Sequence, residues 1–227
     1  LGYMLKSFDP EGTRDLVFIP VGINYDRVIE DRSLILRTQP EVEPKSGWFV
    51  FGTTIKFLLH NVGLVLRRRW HRLGYAIVNF GAPVSTKEHL AKRGLDFRTL
   101  NREQLFSEVE VLGRGLMEEI GSVIPVAPVS LVATVFLRRS GEQLSELELK
   151  AEAHSLVREL ERAGARIYIP RASQDYAITV GLRMLTLRHI VDEVDGLFAA
   201  RSEEIPLLKY YSNSIAHFLE TRPAATV

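Results

Sequence analysis

The spacing of hydrophobic positions predicts strands early in the chain and helices later. Residues 16–19 form an apolar run of strand length that ends at Pro20 and leads into the polar residues 24–27. Proline has no amide hydrogen to give to a ladder, so Pro20 predicts the end or the edge of a strand. A buried strand that ends in polar groups is typical of a ligand site in an open α/β sheet. A core strand with a polar exit loop is the alternative.

The rest of the pattern predicts one more strand and a series of helices. Residues 74–80 predict the strand, which a turn at residues 81–83 closes. Residues 32–47 are polar, contain two prolines and predict a loop, and residues 166–170 favour a short strand. Apolar residues at the helical period and capping signals predict the helices, which cover residues 1–8, 85–92, 102–120, 126–138, 145–163 and 206–219.

Residues 48–72 predict an amphipathic helix whose charge has one sign. From residue 51 to residue 72 it carries five basic residues and no acid, and three of these are the adjacent Arg67, Arg68 and Arg69. Cations at a helix C-terminus favour the macrodipole, which fits a helix packed in a core. A basic amphipathic helix with Trp70 near its end also fits a membrane surface or an acidic partner protein. These four residues are therefore candidate membrane or anion contacts.

Composition limits the classes of function that remain. The chain has 227 residues, is 46% hydrophobic and 25% charged, and has a formal net charge of +1. This balance gives no reason to expect a nucleic-acid partner. With no cysteine, the chain has no disulfide framework and no thiolate metal site, which is compatible with a reducing compartment. No apolar run approaches the roughly 20 residues that span a bilayer. We predict no metal site and no cofactor.

Three stretches carry a family resemblance, in the same order and at similar intervals. Residues 18–30, FIPVGINYDRVIE, join an apolar strand and a proline to Tyr-Asp and a trailing acid. Residues 74–83, GYAIVNFGAP, fit the pattern G-x-x-x-V-N-F-G-x-P, and residues 210–219, YYSNSIAHFL, fit Y-Y-x-N-x-I-A-H-x-L. The first stretch resembles the fourth sequence block of the glycerol-3-phosphate acyltransferase family. The other two resemble a strand and a helix of the same family.

The resemblance implies a fold, an activity and partners. The implied fold class is α/β: the C-terminal part of an acyltransferase α/β domain in residues 1–95, followed by a mainly helical domain in residues 96–227. The implied reaction moves a fatty acyl group from acyl-CoA or acyl-carrier protein to the 1-hydroxyl of glycerol 3-phosphate. It would occur in phospholipid biosynthesis, peripherally on the cytoplasmic face of the cell inner membrane, with phospholipid surface as a partner. The alternatives are a dihydroxyacetone-phosphate acyltransferase and a non-catalytic membrane or partner-binding module.

The family's catalytic motif, His-x-x-x-x-Asp, is absent from this sequence. In that motif the His takes the hydroxyl proton and the Asp orients the His. None of the six histidines has an Asp five positions later, and these histidines are His60, His71, His89, His154, His189 and His217. The family's second and third blocks are also absent, so we expect the chain to begin after them. We therefore predict no catalytic residue here and no acyl transfer by the 227-residue chain alone.

The fourth block supplies the substrate-binding candidates that the resemblance implies. Pro20 would shape the strand end so that backbone groups near Ile19 and Val21 face a substrate pocket. Tyr25 and Asp26 match the block's Tyr-Glu pair and would line or brace that pocket. Asp26 departs from the commoner Glu by one methylene. A strand-exit turn with a local hydrogen bond is the alternative for both residues.

Overall fold

The computed structural model describes residues 1–38 and 74–220. In this part of the chain helices predominate, and the strands form small antiparallel sheets. The combination of helices and strands is consistent with the predicted α/β class. An open α/β sheet, of which the pattern around residues 16–27 is typical, is not found in these residues, where the parallel pairing is an isolated bridge between Val126 and Ile167. That bridge lies where a short strand over residues 166–170 is predicted.

The strand predicted over residues 16–19 forms the first part of a longer antiparallel ribbon. β1 (Val17–Phe18) and β2 (Val21–Tyr25) are separated at Pro20. Two antiparallel partners follow later in the chain, and β3 (Ala76–Phe80) pairs with β2 while β4 (Val84–Ser85) pairs with β1. The expectation of a buried strand over residues 16–19 is wrong, because Val17 and Ile19 are exposed, and the residues of β2 alternate between exposed and buried. One face of the ribbon packs inward and the other faces solvent.

In the described parts of residues 1–122, four helices accompany this ribbon. They are α1 (Gly2–Lys6), α2 (Asp31–Thr38), α3 (Thr86–Arg93) and α4 (Arg102–Ser122). The first, third and fourth confirm predicted helices, and Ser85 caps α3 by accepting a hydrogen bond from the Glu88 N–H. The predicted loop over residues 32–47 is wrong where α2 lies. That helix begins at Asp31, whose carboxylate accepts a hydrogen bond from the backbone N–H of Arg32 at 2.7 Å.

Between residues 123 and 220, all of which the structure describes, the chain forms five α-helices and one three-stranded sheet. The helices are α5 (Pro128–Arg138), α6 (Glu146–Arg162), α7 (Gln174–Leu187), α8 (Ile205–Asn213) and α9 (Ala216–Leu219). The sheet has the antiparallel order β5-β7-β6, with β5 (Gln143–Ser145), β6 (Val191–Val194) and β7 (Leu197–Ala200). Neither α7 nor this sheet was predicted. The helix predicted over residues 206–219 is confirmed but is interrupted between α8 and α9.

Helix α5 is the centre of the larger hydrophobic core. Its residues 128–136 are all buried, and it packs against α6, α7 and α8. A smaller core cluster joins the first and second parts of the chain and consists of Leu5, Leu90, Phe97 and Leu112. This cluster takes residues from both sides of the boundary expected between residues 95 and 96. The division into two domains stays a prediction.

Candidate functional site

The inner face of β2 lies directly against backbone at the end of α4. A Cβ atom on Gly22 would lie 2.6 Å from the carbonyl carbon of Val123 and 2.7 Å from the nitrogen of Ile124. Such distances are too short for a side chain, so glycine at this position allows the strand to approach. The ribbon is therefore held close to the helical part of the chain.

Asn24, the next inward residue of β2, enters a buried polar network. Its side-chain amide donates to the carbonyl of Pro125 at 2.9 Å and to the hydroxyl of Ser214 at 3.1 Å. The Ser214 hydroxyl lies 2.9 Å from that of Ser130. Nearby, the hydroxyls of Thr134 and Ser212 are 2.8 Å apart. Buried polar groups are favourable when they are paired, and these bonds connect β2 with α5 and with the end of α8.

Asp26 ends the strand as a brace between three segments. The residue is buried, and its carboxylate accepts hydrogen bonds from the backbone N–H groups of Val129 and Tyr75, both at 3.0 Å. Its own N–H donates to the carbonyl of Tyr75 at 2.9 Å. Burial raises the pKa of Asp26 above its ordinary value, and the two N–H donors oppose that rise. Among the described residues, these contacts connect β2, the start of α5 and the residue before β3.

A charged cluster closes the exit of β2 against the C-terminal helices. Asp31 is buried and accepts hydrogen bonds from Arg188 at 2.5 Å and from the hydroxyl of Tyr211. Arg188 also donates to the Tyr211 hydroxyl at 2.7 Å, as does the Val28 N–H at 3.2 Å. Burial is the main cause that raises the pKa of Tyr211 to about 12. The tyrosine therefore stays protonated, and its hydroxyl donates a hydrogen bond to Asp31.

The outer face of the ribbon is apolar and faces solvent. In the antiparallel register, three outward pairs follow one another along β2 and β3. They are Val21 with Phe80, Ile23 with Val78, and Tyr25 with Ala76. Because their inward neighbours are fixed by the contacts above, this face is presented in a defined geometry.

The sequence-predicted site residues divide between the two faces. Ile19, Val21 and Tyr25 are exposed, and the last two belong to the outer face. Pro20 and Asp26 are buried, and the carbonyl of Pro20 accepts a hydrogen bond from Gly81 at 2.8 Å. Of the two alternatives left open for Asp26, its contacts favour the brace. The role of these five residues in substrate binding stays a prediction.

The other candidate contacts, Arg67, Arg68, Arg69 and Trp70, lie outside the described residues, as does the helix predicted over residues 48–72.

Two of the described histidines, His154 and His217, have structural partners. His217 contacts the carbonyl oxygen of Gly121 through Nε2 at 2.9 Å. His154 lies between Gln174 and Asp175, with ring nitrogens 2.9 Å and 2.8 Å from their side-chain oxygens. Within residues 1–38 and 74–220, no group of three or more His, Asp or Glu side chains could hold a metal ion.

Sequence reasoning missed how the fourth block is anchored. Asn24, Asp31, Arg188 and Tyr211 form that anchor, yet their bonds join residues up to 190 positions apart. Two of the three stretches that resemble the family contain residues of the anchor, namely Asn24 and Tyr211. Their presence in these stretches was a signal in the sequence for the anchor. Arg188 belongs to none of them, and no local pattern in the sequence distinguishes it.

Comparison with known proteins identifies the family of this chain. Residues 61–225 match the family model for the glycerol-3-phosphate acyltransferase C-terminal region. That match covers well over half of the chain, and the chain therefore belongs to this family. The resemblance stated from the three stretches is confirmed.

Curated relatives named glycerol-3-phosphate acyltransferase align with almost the whole chain. The protein of Hamiltonella defensa is 25% identical over 232 residues, which cover 95% of this chain and 26% of the relative. That of Xylella fastidiosa (strain M12) is 23% identical over 223 residues, covering 94% and 24%. That of Pseudomonas syringae is 24% identical over 226 residues, covering 96% and 26%. The chain thus spans about a quarter of the length of these relatives.

A search of the described helices found none with both the length and the apolar character to cross a membrane.

Proposed function

We propose that this chain contributes the fourth block and the C-terminal region of a glycerol-3-phosphate 1-O-acyltransferase. The acyl donor would be acyl-CoA or acyl-carrier protein, and the acceptor glycerol 3-phosphate. In the reaction the acceptor's 1-hydroxyl attacks the thioester carbonyl, the carbon–sulfur bond breaks and the thiol leaves. Family membership supports the activity class. A dihydroxyacetone-phosphate acyltransferase and a non-catalytic module are the alternatives.

One observation carries the proposal most directly. The fourth-block strand is bonded through Asn24 and Asp26 to α5, which belongs to the region that the family model matches. A strand at a reacting centre needs a fixed position, because small displacements of positioning groups reduce rates strongly. We infer that this region holds the strand in place, while the proton-transfer pair lies in polypeptide with a His-x-x-x-x-Asp motif.

The test compares the 227-residue chain with the complete product of its reading frame. Acyl transfer from acyl-CoA and from acyl-carrier protein is measured with labelled glycerol 3-phosphate and, separately, with dihydroxyacetone phosphate. We expect transfer to glycerol 3-phosphate by the complete product and none by the 227-residue chain above a heat-killed control. Acyl transfer by the 227-residue chain alone would contradict the inference that the proton-transfer pair lies in other polypeptide. An inactive complete product would favour the non-catalytic module, and preference for dihydroxyacetone phosphate would favour the other acyltransferase.

We further propose peripheral association with the cytoplasmic face of the inner membrane. The support is the one-signed helix predicted from the sequence, because each Lys or Arg near an anionic leaflet contributes about 1 kcal/mol of attraction. Changing Arg67, Arg68 and Arg69 together to Gln should weaken sedimentation with anionic vesicles by roughly two orders of magnitude or less. Binding to neutral vesicles is the control and should scarcely change. Equal binding of parent and variant to anionic vesicles would remove this role.

A further inference from the structure

The outer face of the β2–β3 ribbon exposes a contiguous set of apolar side chains. Ile23 is 49% exposed, Val78 48% and Phe80 65%, and they stand beside each other in the register. Val21 and Tyr25 extend the same face at 37% and 44%. Single exposed apolar residues are common, whereas a contiguous patch of them marks an interaction surface.

This exposure is not the result of a loosely held strand. On the opposite face, Gly22 touches the backbone at the end of α4, and Asn24 and Asp26 are buried and fully bonded to backbone or hydroxyl groups. The ribbon therefore cannot turn its apolar face inward without breaking these bonds. Whatever covers the face lies on the side of the ribbon opposite to α4 and α5.

The free edge of β2 indicates what kind of molecule approaches. In an antiparallel ladder, residues of alternate pairs direct both backbone groups away from the partner strand. Gly81 donates to Pro20 and Asp26 donates to Tyr75, so Val21 and Ile23 direct their N–H and C=O groups away from β3. At the next such position, the N–H of Tyr25 donates a hydrogen bond to the side-chain Oδ1 of the preceding residue, Asn24, at 2.8 Å. Among the described residues nothing bonds the outward backbone groups of Val21 and Ile23, and a two-residue stretch of open edge lies beside the apolar face.

The other edge of the ribbon is partly occupied. The carbonyl of Phe80 accepts a hydrogen bond from the guanidinium of Arg166 at 3.0 Å. A strand that adds along β3 would therefore compete with Arg166 for the Phe80 carbonyl, whereas among the described residues no side chain bonds the outward backbone groups of Val21 and Ile23. Backbone hydrogen bonds are supplied by polypeptide and not by an acyl chain, whose contacts would be with the apolar side chains alone.

We propose that the β2 edge and the outer face together dock a further layer of acyltransferase polypeptide, equivalent to the part of the curated relatives that lies outside the match. A strand of that layer pairs with Val21 and Ile23, and apolar side chains cover Val78 and Phe80. The relatives support this occupant, because the matched portion is about a quarter of their length and the remainder is ample to supply it. The inference rests on the proposed function, which requires such a polypeptide.

Thiol labelling tests the inference cleanly because the chain contains no cysteine. Val78→Cys and Ile23→Cys place single thiols on the outer face. Leu147→Cys is the matched control, because Leu147 is an apolar residue on α6 that is 79% exposed. Each variant is made in the 227-residue chain and in the complete product of the reading frame, and labelling at the site is followed by peptide mass spectrometry.

In the 227-residue chain all three thiols should react at similar rates. In the complete product, those at positions 78 and 23 should react at least about tenfold more slowly, since a covered thiol reacts only when the interface opens. The thiol at position 147 should be unchanged. Circular dichroism of each variant shows that it is folded before its rate is used.

Three results would overturn the inference. One is equal labelling of position 78 in the two proteins, which includes the case in which they are the same polypeptide. Another is slow labelling in the 227-residue chain that becomes fast on dilution, which assigns the face to a second copy. The third is protection of that chain by palmitoyl-CoA, which assigns the face to the acyl chain. If the complete product transfers acyl groups but its thiols at positions 78 and 23 are labelled freely, the proposed function stands and the interface is wrong. If these thiols are protected from labelling but no acyl transfer is found, the interface stands and the proposed function is wrong.

Discussion

At the scale of single residues, Asp26 determines how firmly the fourth block is held. Its carboxylate accepts from two buried backbone N–H groups, those of Tyr75 and Val129. Asp26→Ala leaves both donors without a partner and should lower the free energy of unfolding by about 1–3 kcal/mol. Urea unfolding followed by circular dichroism measures this loss. In the complete product of the reading frame, any acyl-transfer activity per folded molecule should change little, and a large fall in that quantity would place Asp26 in the substrate site.

The pH dependence of stability provides a second test of Asp26. Because burial raises its pKa above the ordinary value of 3.8, the folded chain binds this proton more tightly than the unfolded chain does. The resulting stabilisation is complete below that value and is lost as the pH rises through the raised pKa. Relative to Asp26→Asn, the free energy of unfolding of the parent chain should therefore fall as the pH rises from about 4. Paired urea titrations at several pH values measure the difference, and a rising difference would contradict the assigned direction.

Tyr211 is the corresponding test for the charged cluster. Tyr211→Phe removes one donor to Asp31 and the acceptor for Arg188 and the Val28 N–H. Since these groups are largely buried, we expect the free energy of unfolding to fall by about 1–3 kcal/mol. Tyr210→Phe is the matched control, because no hydrogen bond from the Tyr210 hydroxyl is found among the described residues. Equal losses in the two variants would mean that the hydroxyl of Tyr211 contributes little.

At the scale of elements, close approach between β2 and α4 depends on one glycine. Gly22→Ala would push a methyl group into the backbone of Val123 and Ile124, so the strand would have to move. We expect a loss of at least about 1–3 kcal/mol, the usual cost of overpacking. Gly115→Ala on α4 is the opposite control, since nothing lies within 4 Å of the added methyl group. It should stabilise the chain by about 0.5–1 kcal/mol through helix propensity, and thermal melting distinguishes the two signs.

Local signals explain which elements the sequence could predict. Capping boxes at Asn101 and Ser145 locate the starts of α4 and α6, because cap and helix are neighbours along the chain. A local signal also marks the hairpin formed by β6 and β7, which was not predicted. Asp195 and Gly196 have positive φ angles of 52° and 76°, and Asp-Gly is a strong signal for such a turn. Attention to that dipeptide would have found the hairpin.

Long-range contacts explain what the sequence could not predict. Asp31 begins α2 in a stretch that reads as polar loop, and its partners Arg188 and Tyr211 lie 157 and 180 positions away. The inward and outward faces of β2 likewise depend on which helices pack against it. The motif supplied the residues of the fourth block, whereas burial of Asp26 and exposure of Tyr25 follow from tertiary packing alone.

At the scale of the whole molecule, the bonds of Asn24 predict coupled stability across the proposed boundary near residue 95. Its amide joins β2 to Pro125 and Ser214. Asn24→Leu removes these bonds, and we expect hydrogen-exchange protection to fall together in β2, α5 and α8. Mass spectrometry of exchanged peptides measures this, with Thr179→Leu, an exposed position on α7, as the control variant. Loss confined to β2 would show that the two parts open independently.

The network around Asn24 also has a consequence for how the chain is made. Its contact with Ser214 spans 190 residues, so it cannot form until nearly all of the chain has been synthesised. At about 5–20 residues per second, a ribosome needs roughly 10–40 s to cover that distance. During this interval the apolar ribbon emerges without its anchor. Long-range pairing of this kind slows folding, and an apolar ribbon exposed during that time favours aggregation of the nascent chain.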